Sequence, residues 1–395
     1  MTDSSISFSK SLPWVIFVSL IFFINYLPRS LMSPLLVPLE AELHLSHSQA
    51  TGLLLLLSAG FSVSMALSSF ISRILAHRTI AGLSAVIGGI ALLLFLHVET
   101  LLQVRIAILC FGLAAGLYFP SGMATLASLV SRKDWGKAIA IHELAPNISF
   151  IVAPLVASYA LSFTSWRWAL AAVGCSSILL GLLFIIIGRG GAKQHTAGTS
   201  PSIRGLLANP RIWLFVLIIG LSIGGEYAPF SVLPLYLVNE KGMDFDTTNG
   251  ILSLSRLACP AVVLIAGFVA DKLGTRTAVK LYFITHGIVL IGVGLTSGSL
   301  LTINIVLQAL LTAFVFPAAF KLMAEAFEPE QQAAAMSLIM PMSAVVGTGI
   351  APALLGLTGD MGSFSSGFVI MALLNFITLI PLMMIRSDRN IRKEA

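Results

Sequence analysis

Asn25-Tyr26-Leu27-Pro28-Arg29-Ser30 and Glu226-Tyr227-Ala228-Pro229-Phe230-Ser231 are near copies of each other, 201 residues apart. Tyr, Pro and Ser recur in register. The first copy lies late in the first apolar run and the second at the middle of the seventh. Phe119-Pro120 returns as Phe316-Pro317, and Ala153-Pro154 returns as Ala351-Pro352, at offsets of 197 and 198. A unit repeated at nearly constant spacing, each copy written in apolar helices, predicts two six-helix halves of parallel orientation. Such an architecture puts a solute site near the bilayer midplane, where the halves meet.

Composition supports the membrane reading. Charged residues make up 10% of the chain and hydrophobic residues 57%, against about 25% charged in soluble domains. A spanning helix needs about 20 mostly apolar residues. Twelve such segments are expected at 12–38, 49–70, 79–97, 101–128, 138–160, 168–188, 211–238, 247–270, 277–296, 300–324, 333–357 and 366–385. The fold class is therefore all-α integral membrane, with an N-terminal half at 1–190, a polar linker at 191–209 rich in Gly, Ser, Thr and Pro, and a C-terminal half at 210–395. The first apolar run is too long for a signal peptide and continues into Pro28 and Arg29, so it is expected to be retained.

Lys and Arg placement orients the chain. With a cytoplasmic N-terminus, seventeen of the 23 fall on inside loops and tails. Arg167 and Lys241 alone fall outside, and Arg29, Arg105, Arg256 and Lys321 lie within spans. Both termini are expected in the cytoplasm, in a prokaryotic inner membrane. The net charge of +6 thus reflects topology. Nucleic acid is not expected as a partner, because no basic cluster interleaved with aromatics exists. Cys110, Cys175 and Cys259 sit singly in apolar segments and offer neither a disulfide framework nor metal-ligand spacing. No metal or other cofactor is expected. His142-Glu143 lacks the second histidine of a zinc-protease motif, which argues against an enzyme.

The loop after the eighth span reads Gly267-Phe-Val-Ala-Asp271-Lys272-Leu-Gly274-Thr-Arg276. It resembles the G-x-x-x-D-[RK]-x-G-x-[RK] loop of the major facilitator superfamily. Trp166-Arg167-Trp168, Asp134-Trp-Gly136-Lys137-Ala138 and Ala153-Pro-Leu-Val-Ala157 are similar to further motifs of that family. The equivalent N-half loop has Ser72 in place of the acid and no glycines. The resemblance covers the whole chain. It implies twelve helices, alternating-access transport and a monomer. It also makes Asp271 and Arg276 candidates for a gate.

Ionisable groups at bilayer depth cost roughly 2.5–3.5 kcal/mol each on insertion scales and are functional candidates. Arg256, within Ser253-Leu-Ser255-Arg256, is the first choice for an anion ligand, because a guanidinium fork matches a carboxylate. Arg29 and Glu226 are expected to face each other, with Asn25, Tyr26 and Tyr227 beside them. Tyr118 and Asn147 complete the candidate substrate set. His142, Glu143, Glu226 and Lys321 are candidates for proton coupling or gating, with Glu143–Lys321 as an inner gate pair. Each has a plainer reading: snorkelling for Arg29 and Lys321, helix packing for Arg256, an interfacial position for His142. Three deep cations against two deep acids favour an anionic solute. The expected function is transport of a small organic anion, a carboxylate, with proton coupling or exchange. The alternative is a proton-coupled drug or metabolite exporter of the same fold.

Overall fold

The computed structural model describes residues 8–193 and 203–384, and among these residues there is no strand. The middle of the expected linker, 194–202, and the basic residues Arg386, Arg389, Arg392 and Lys393 lie outside the described residues. Among the described residues, eleven helical stretches are long and apolar enough to cross a membrane. Span 1 is Phe8–Leu43, span 2 His47–Ile71, span 3 His77–Leu93 and span 6 Trp166–Ile187. Span 7 is Pro210–Leu235, span 9 Thr275–Leu295, span 10 Gly298–Glu325 and span 12 Phe364–Met384.

The remaining spans are interrupted. Span 4 breaks between Leu101–Gly116 and Tyr118–Leu129, and span 5 between Trp135–His142 and Leu144–Phe163. Span 11 runs from Pro329–Ala344 through a π-helical turn at Val345–Ile350 into Ala351–Asp360. The expected eighth span is divided into Phe245–Arg256 and Cys259–Leu273, neither of which crosses a bilayer alone. Proline explains three of these breaks. A proline at position i cannot donate to the carbonyl at i−4. Pro120 therefore frees the Gly116 carbonyl, Pro146 that of His142, and Pro260 that of Arg256, and each break falls there.

Helix ends are tied by side chains. Ser46 with Gln49 and Thr100 with Gln103 form capping boxes at the starts of spans 2 and 4. Asp244 accepts from the Thr247 amide at the start of span 8, and hydrogen bonding from the Thr247 side chain, then from its amide, holds the Asp244 carboxyl below the usual carboxylate range. Gly274 has φ 82°, a left-handed turn between spans 8 and 9 that favours glycine. Trp166 Nε1 donates to Glu42 at 2.7 Å, and Arg167 pairs with the same carboxylate, so the Trp-Arg-Trp motif fastens span 6 to the end of span 1.

The two ends of the bundle differ. At the end away from the linker the halves are joined. The Asp360 carboxylate of span 11 accepts from the His47 amide at 2.7 Å, the Ser48 amide at 3.2 Å and the Ser46 hydroxyl at 3.0 Å. Ser33 Oγ donates to the Phe230 carbonyl at 2.6 Å, and Asn249 Nδ2 donates to Ser158 Oγ at 3.0 Å. One continuous apolar cluster crosses the halves there, from Leu31 and Leu35 to Phe230, Leu252 and Leu355. At the linker end a separate cluster, including Ile212, Phe283, Met323 and Phe327, belongs to the C-terminal half alone. The charges at that end also pair within their own halves: Lys137 with Asp134, and Lys321 with Asp271. Among the described residues the halves are thus joined from that end to mid-depth, where Ser58 and Ser62 of span 2 donate to the Ala344 and Pro341 carbonyls of span 11, while the ion pairs at the linker end stay within one half. Tyr159, Phe163 and Trp168 are 60–74% exposed near the joined end, as expected of an interfacial aromatic belt.

Candidate functional site

The site forms where spans 1 and 7 face each other, flanked by spans 5 and 8. Its centre is the pair Arg256–Glu226, with Nη1 3.3 Å from Oε1. Arg256 Nη2 also donates to the Glu226 carbonyl at 3.2 Å. Arg256 is 3% exposed and the Glu226 side chain 21%. The guanidinium lies over Phe150 and Phe230, at 4.8 and 5.3 Å from the ring centres. Arg256 closes the first piece of span 8, so the partial negative charge of that helix end also favours its cation.

Glu226 therefore pairs with Arg256 of its own half, not with Arg29 across the interface. Arg29 is 6% exposed. Its guanidinium is 4.3 Å from the Phe61 ring centre and 5.0 Å from that of Tyr26. Among the described residues no carboxylate reaches it and its Nε has no partner. A deeply buried side chain of this kind is not snorkelling. Cation–π contact with two rings partly compensates for the lost hydration. Tyr227 closes the gap between the halves by donating its hydroxyl to the Arg29 carbonyl at 2.9 Å. Tyr26 packs edge-on against Phe150, 5.6 Å between ring centres, and Phe150 against Phe230 at 4.6 Å. Tyr26, Arg29, Glu226, Tyr227 and Arg256 thus share one aromatic-walled site.

The other candidates fall elsewhere. Asn25 turns away into its own half and donates to Ser84 Oγ at 3.3 Å. Asn147 donates to the Glu143 carbonyl at 2.8 Å, within its own helix. Tyr118 and His142 are fully buried and share a hydrogen bond of 3.1 Å. Both stack on Phe22, which meets Tyr26 edge-on at 5.8 Å. His142 Nδ1 is 3.2 Å from Glu143. Lys321 lies 2.6 Å from Asp271, so Glu143 and Lys321 are not paired in this state of the bundle. Arg276 donates to the carbonyls of Leu382 and Met383 at the end of span 12.

Two polar groupings escaped sequence reasoning. One lies at the joined end: Glu40, His47 and Asn239, with His47 Nδ1 2.9 Å and Asn239 Nδ2 3.4 Å from Glu40 Oε2. The other lies behind Glu226: His286, Gln308 and Asn375, all at most 2% exposed. A count of depth along spans 9, 10 and 12 would have flagged these three as polar residues in apolar helices.

The family model of the Major Facilitator Superfamily matches residues 18–303 and 257–395. The chain belongs to the major facilitator superfamily. That family is one of multi-pass membrane proteins. It is 24% identical over 168 residues to the MFS-type transporter pytF of Aspergillus terreus, covering 42% of this chain and 56% of that one. It is 23% identical over 211 residues to a Protein TsgA homolog of Buchnera aphidicola subsp. Acyrthosiphon pisum, covering 53% and 54%. The chain spans about half the length of the curated relatives it matches.

Solved structures share the facilitator's fold at low identity. A structure of the nucleoside transporter NupG superposes with a TM-score of 0.80 at 14% identity, covering 95% of this chain and 100% of that one. A bacterial homolog of the human lysosomal transporter Spinster, in an inward-facing and unoccupied conformation, gives 0.76 at 14%, covering 94% and 95%.

Proposed function

We propose that this facilitator carries a small organic anion, a carboxylate, by alternating access, with proton coupling or exchange. The observation that carries the proposal is the charge balance of the site. Two guanidinium groups from opposite halves, Arg29 and Arg256, are almost fully buried in one aromatic-walled site, where Glu226 is the ion-pair partner of Arg256. One cation is left without an acid. Burying an unpaired charge is costly, and a substrate carboxylate that bridges both halves would relieve that cost. Glu226 supplies the means of coupling. A carboxyl that alternates between an arginine partner and a proton links proton entry to solute entry. Joining of the halves at the end away from the linker supports a cavity open toward the linker, which the Lys and Arg asymmetry assigns to the cytoplasm. On this reading the protein is a monomer in the inner membrane and both termini are cytoplasmic.

A thermal-shift screen of the purified protein tests the reading, since a ligand that binds only the folded state raises Tm by mass action. Mono- and dicarboxylates are compared with lipophilic cations at mildly acidic and mildly alkaline pH. Stabilisation by a carboxylate, lost in Arg29→Ala, is the expected result. Stabilisation by lipophilic cations alone would overturn it in favour of an exporter.

A further inference from the structure

Pro28 and Pro229 each strip a carbonyl of its helical partner four residues back, at Ile24 and Gly225. Both carbonyls are recovered from outside the helix. Ser177 Oγ of span 6 donates to Ile24 at 3.4 Å. Gln308 Nε2 of span 10 donates to Gly225 at 2.6 Å. The two carbonyls are related by the internal repeat, but their donors come from spans that the repeat does not relate, 6 and 10. The N-half contact is a single long hydroxyl bond. In the C-half, Gln308 lies 3.5 Å from His286 Nε2, and His286 Nδ1 lies 2.8 Å from Asn375 Nδ2. Tyr282 stacks on the same imidazole, 5.0 Å between ring centres. Gly225 is pressed so closely on this group that a Cβ there would overlap the Tyr282 hydroxyl and stand 2.8 Å from His286 Cε1. Spans 9, 10 and 12 therefore hold the main chain of span 7 one residue before Glu226.

We infer that Gln308, backed by His286 and Asn375, is a positioning residue for the Glu226 carboxyl. It holds the proline-freed Gly225 carbonyl, and so sets the register of Glu226 against Arg256. This rests on the reading of Glu226 as the proton-bearing group of the site. Its titratable and charged surroundings are Arg256 and Cys259 of span 8, Arg29 and Tyr26 of span 1, Glu143 of span 5, Tyr282 and His286 of span 9, and the adjacent Tyr227. Spans 2, 10, 11 and 12 carry their charged residues only toward their ends.

Infrared titration of the reconstituted protein reads the carboxyl directly and needs no substrate. The pH-dependent C=O band removed by Glu226→Gln belongs to Glu226. Gln308→Leu should displace the pH midpoint of that band by about one unit, while Ser177→Ala, next to the non-ionising Asn25, should leave it in place. Pro229→Ala restores an amide donor to the Gly225 carbonyl, so the double variant Pro229→Ala/Gln308→Leu should return the midpoint toward wild type. It should also fold if Gln308→Leu alone does not. An unmoved midpoint in Gln308→Leu, or a displaced midpoint or failed folding that Pro229→Ala does not repair, overturns the positioning role while Glu226 keeps its own. A band that survives Glu226→Gln overturns the reading of Glu226 itself, and the inference with it.

Discussion

Arg256 and Glu226 come from the same half of the molecule and meet at 3.3 Å, which leaves the equally buried Arg29 of the other half without an acid. The two arginines therefore do different work, and their removal should have different consequences.

Arg256→Ala leaves the Glu226 carboxylate with no counter-charge. Partial exposure of Glu226 moderates the loss, which we put at about 2 kcal/mol. Arg29→Ala gives up only contact with Tyr26 and Phe61, about 1 kcal/mol, yet takes away the free cation. Carboxylate binding should weaken at least about tenfold in Arg29→Ala, with the smaller fall in Tm. Calorimetric titration with the stabilising carboxylate and unfolding of both variants would check this, and equal effects on binding and stability would refute it.

Glu226→Gln keeps the shape of the side chain and removes its charge and its proton. Proteoliposomes of this variant should lose accumulation driven by a pH gradient while retaining exchange of solute for solute. Undiminished proton-driven uptake would move coupling to another acid, with Glu143 the nearest candidate.

Asp271 and Lys321 are both at least half exposed although only 2.6 Å apart. Water and salt screen such a pair, so it contributes little to stability. Asp271→Asn should leave Tm nearly unchanged. If Lys321 turns to Glu143 when the linker end closes, the same variant should accelerate closure. That would appear as reduced labelling of a cysteine placed in the cavity and accessible from the linker side. Unchanged labelling would show that Asp271 does not restrain Lys321.

Asp360 accepts three hydrogen bonds from Ser46, His47 and Ser48 at the start of span 2, and so fastens the two halves at the joined end. Asp360→Ala should loosen that end. A cysteine replacing the fully buried Leu36, in a background lacking the native cysteines, should then react several-fold faster with an impermeant thiol reagent. No change in rate would show that the apolar cluster alone keeps the end shut.

What depends on local chemistry was legible along the chain. Long apolar runs have to satisfy their own backbone in lipid, so the helices could be read from composition, and the duplication could be read from Tyr26 and Tyr227, Pro28 and Pro229, Ser30 and Ser231. Which polar groups pair with which emerged from the folded bundle. The backbone break after Arg256, which shortens the expected eighth span into two pieces, follows from Pro260 but shows its consequence only where span 8 meets span 7. Arg256 takes Glu226, Lys321 takes Asp271, and Arg29 is left among rings, because pairing depends on angular facing and on which end of the bundle is joined. Neither is encoded in one-dimensional spacing. The same holds for Gln308, whose role is visible only once its amide is seen to reach the carbonyl that Pro229, on another helix, leaves open.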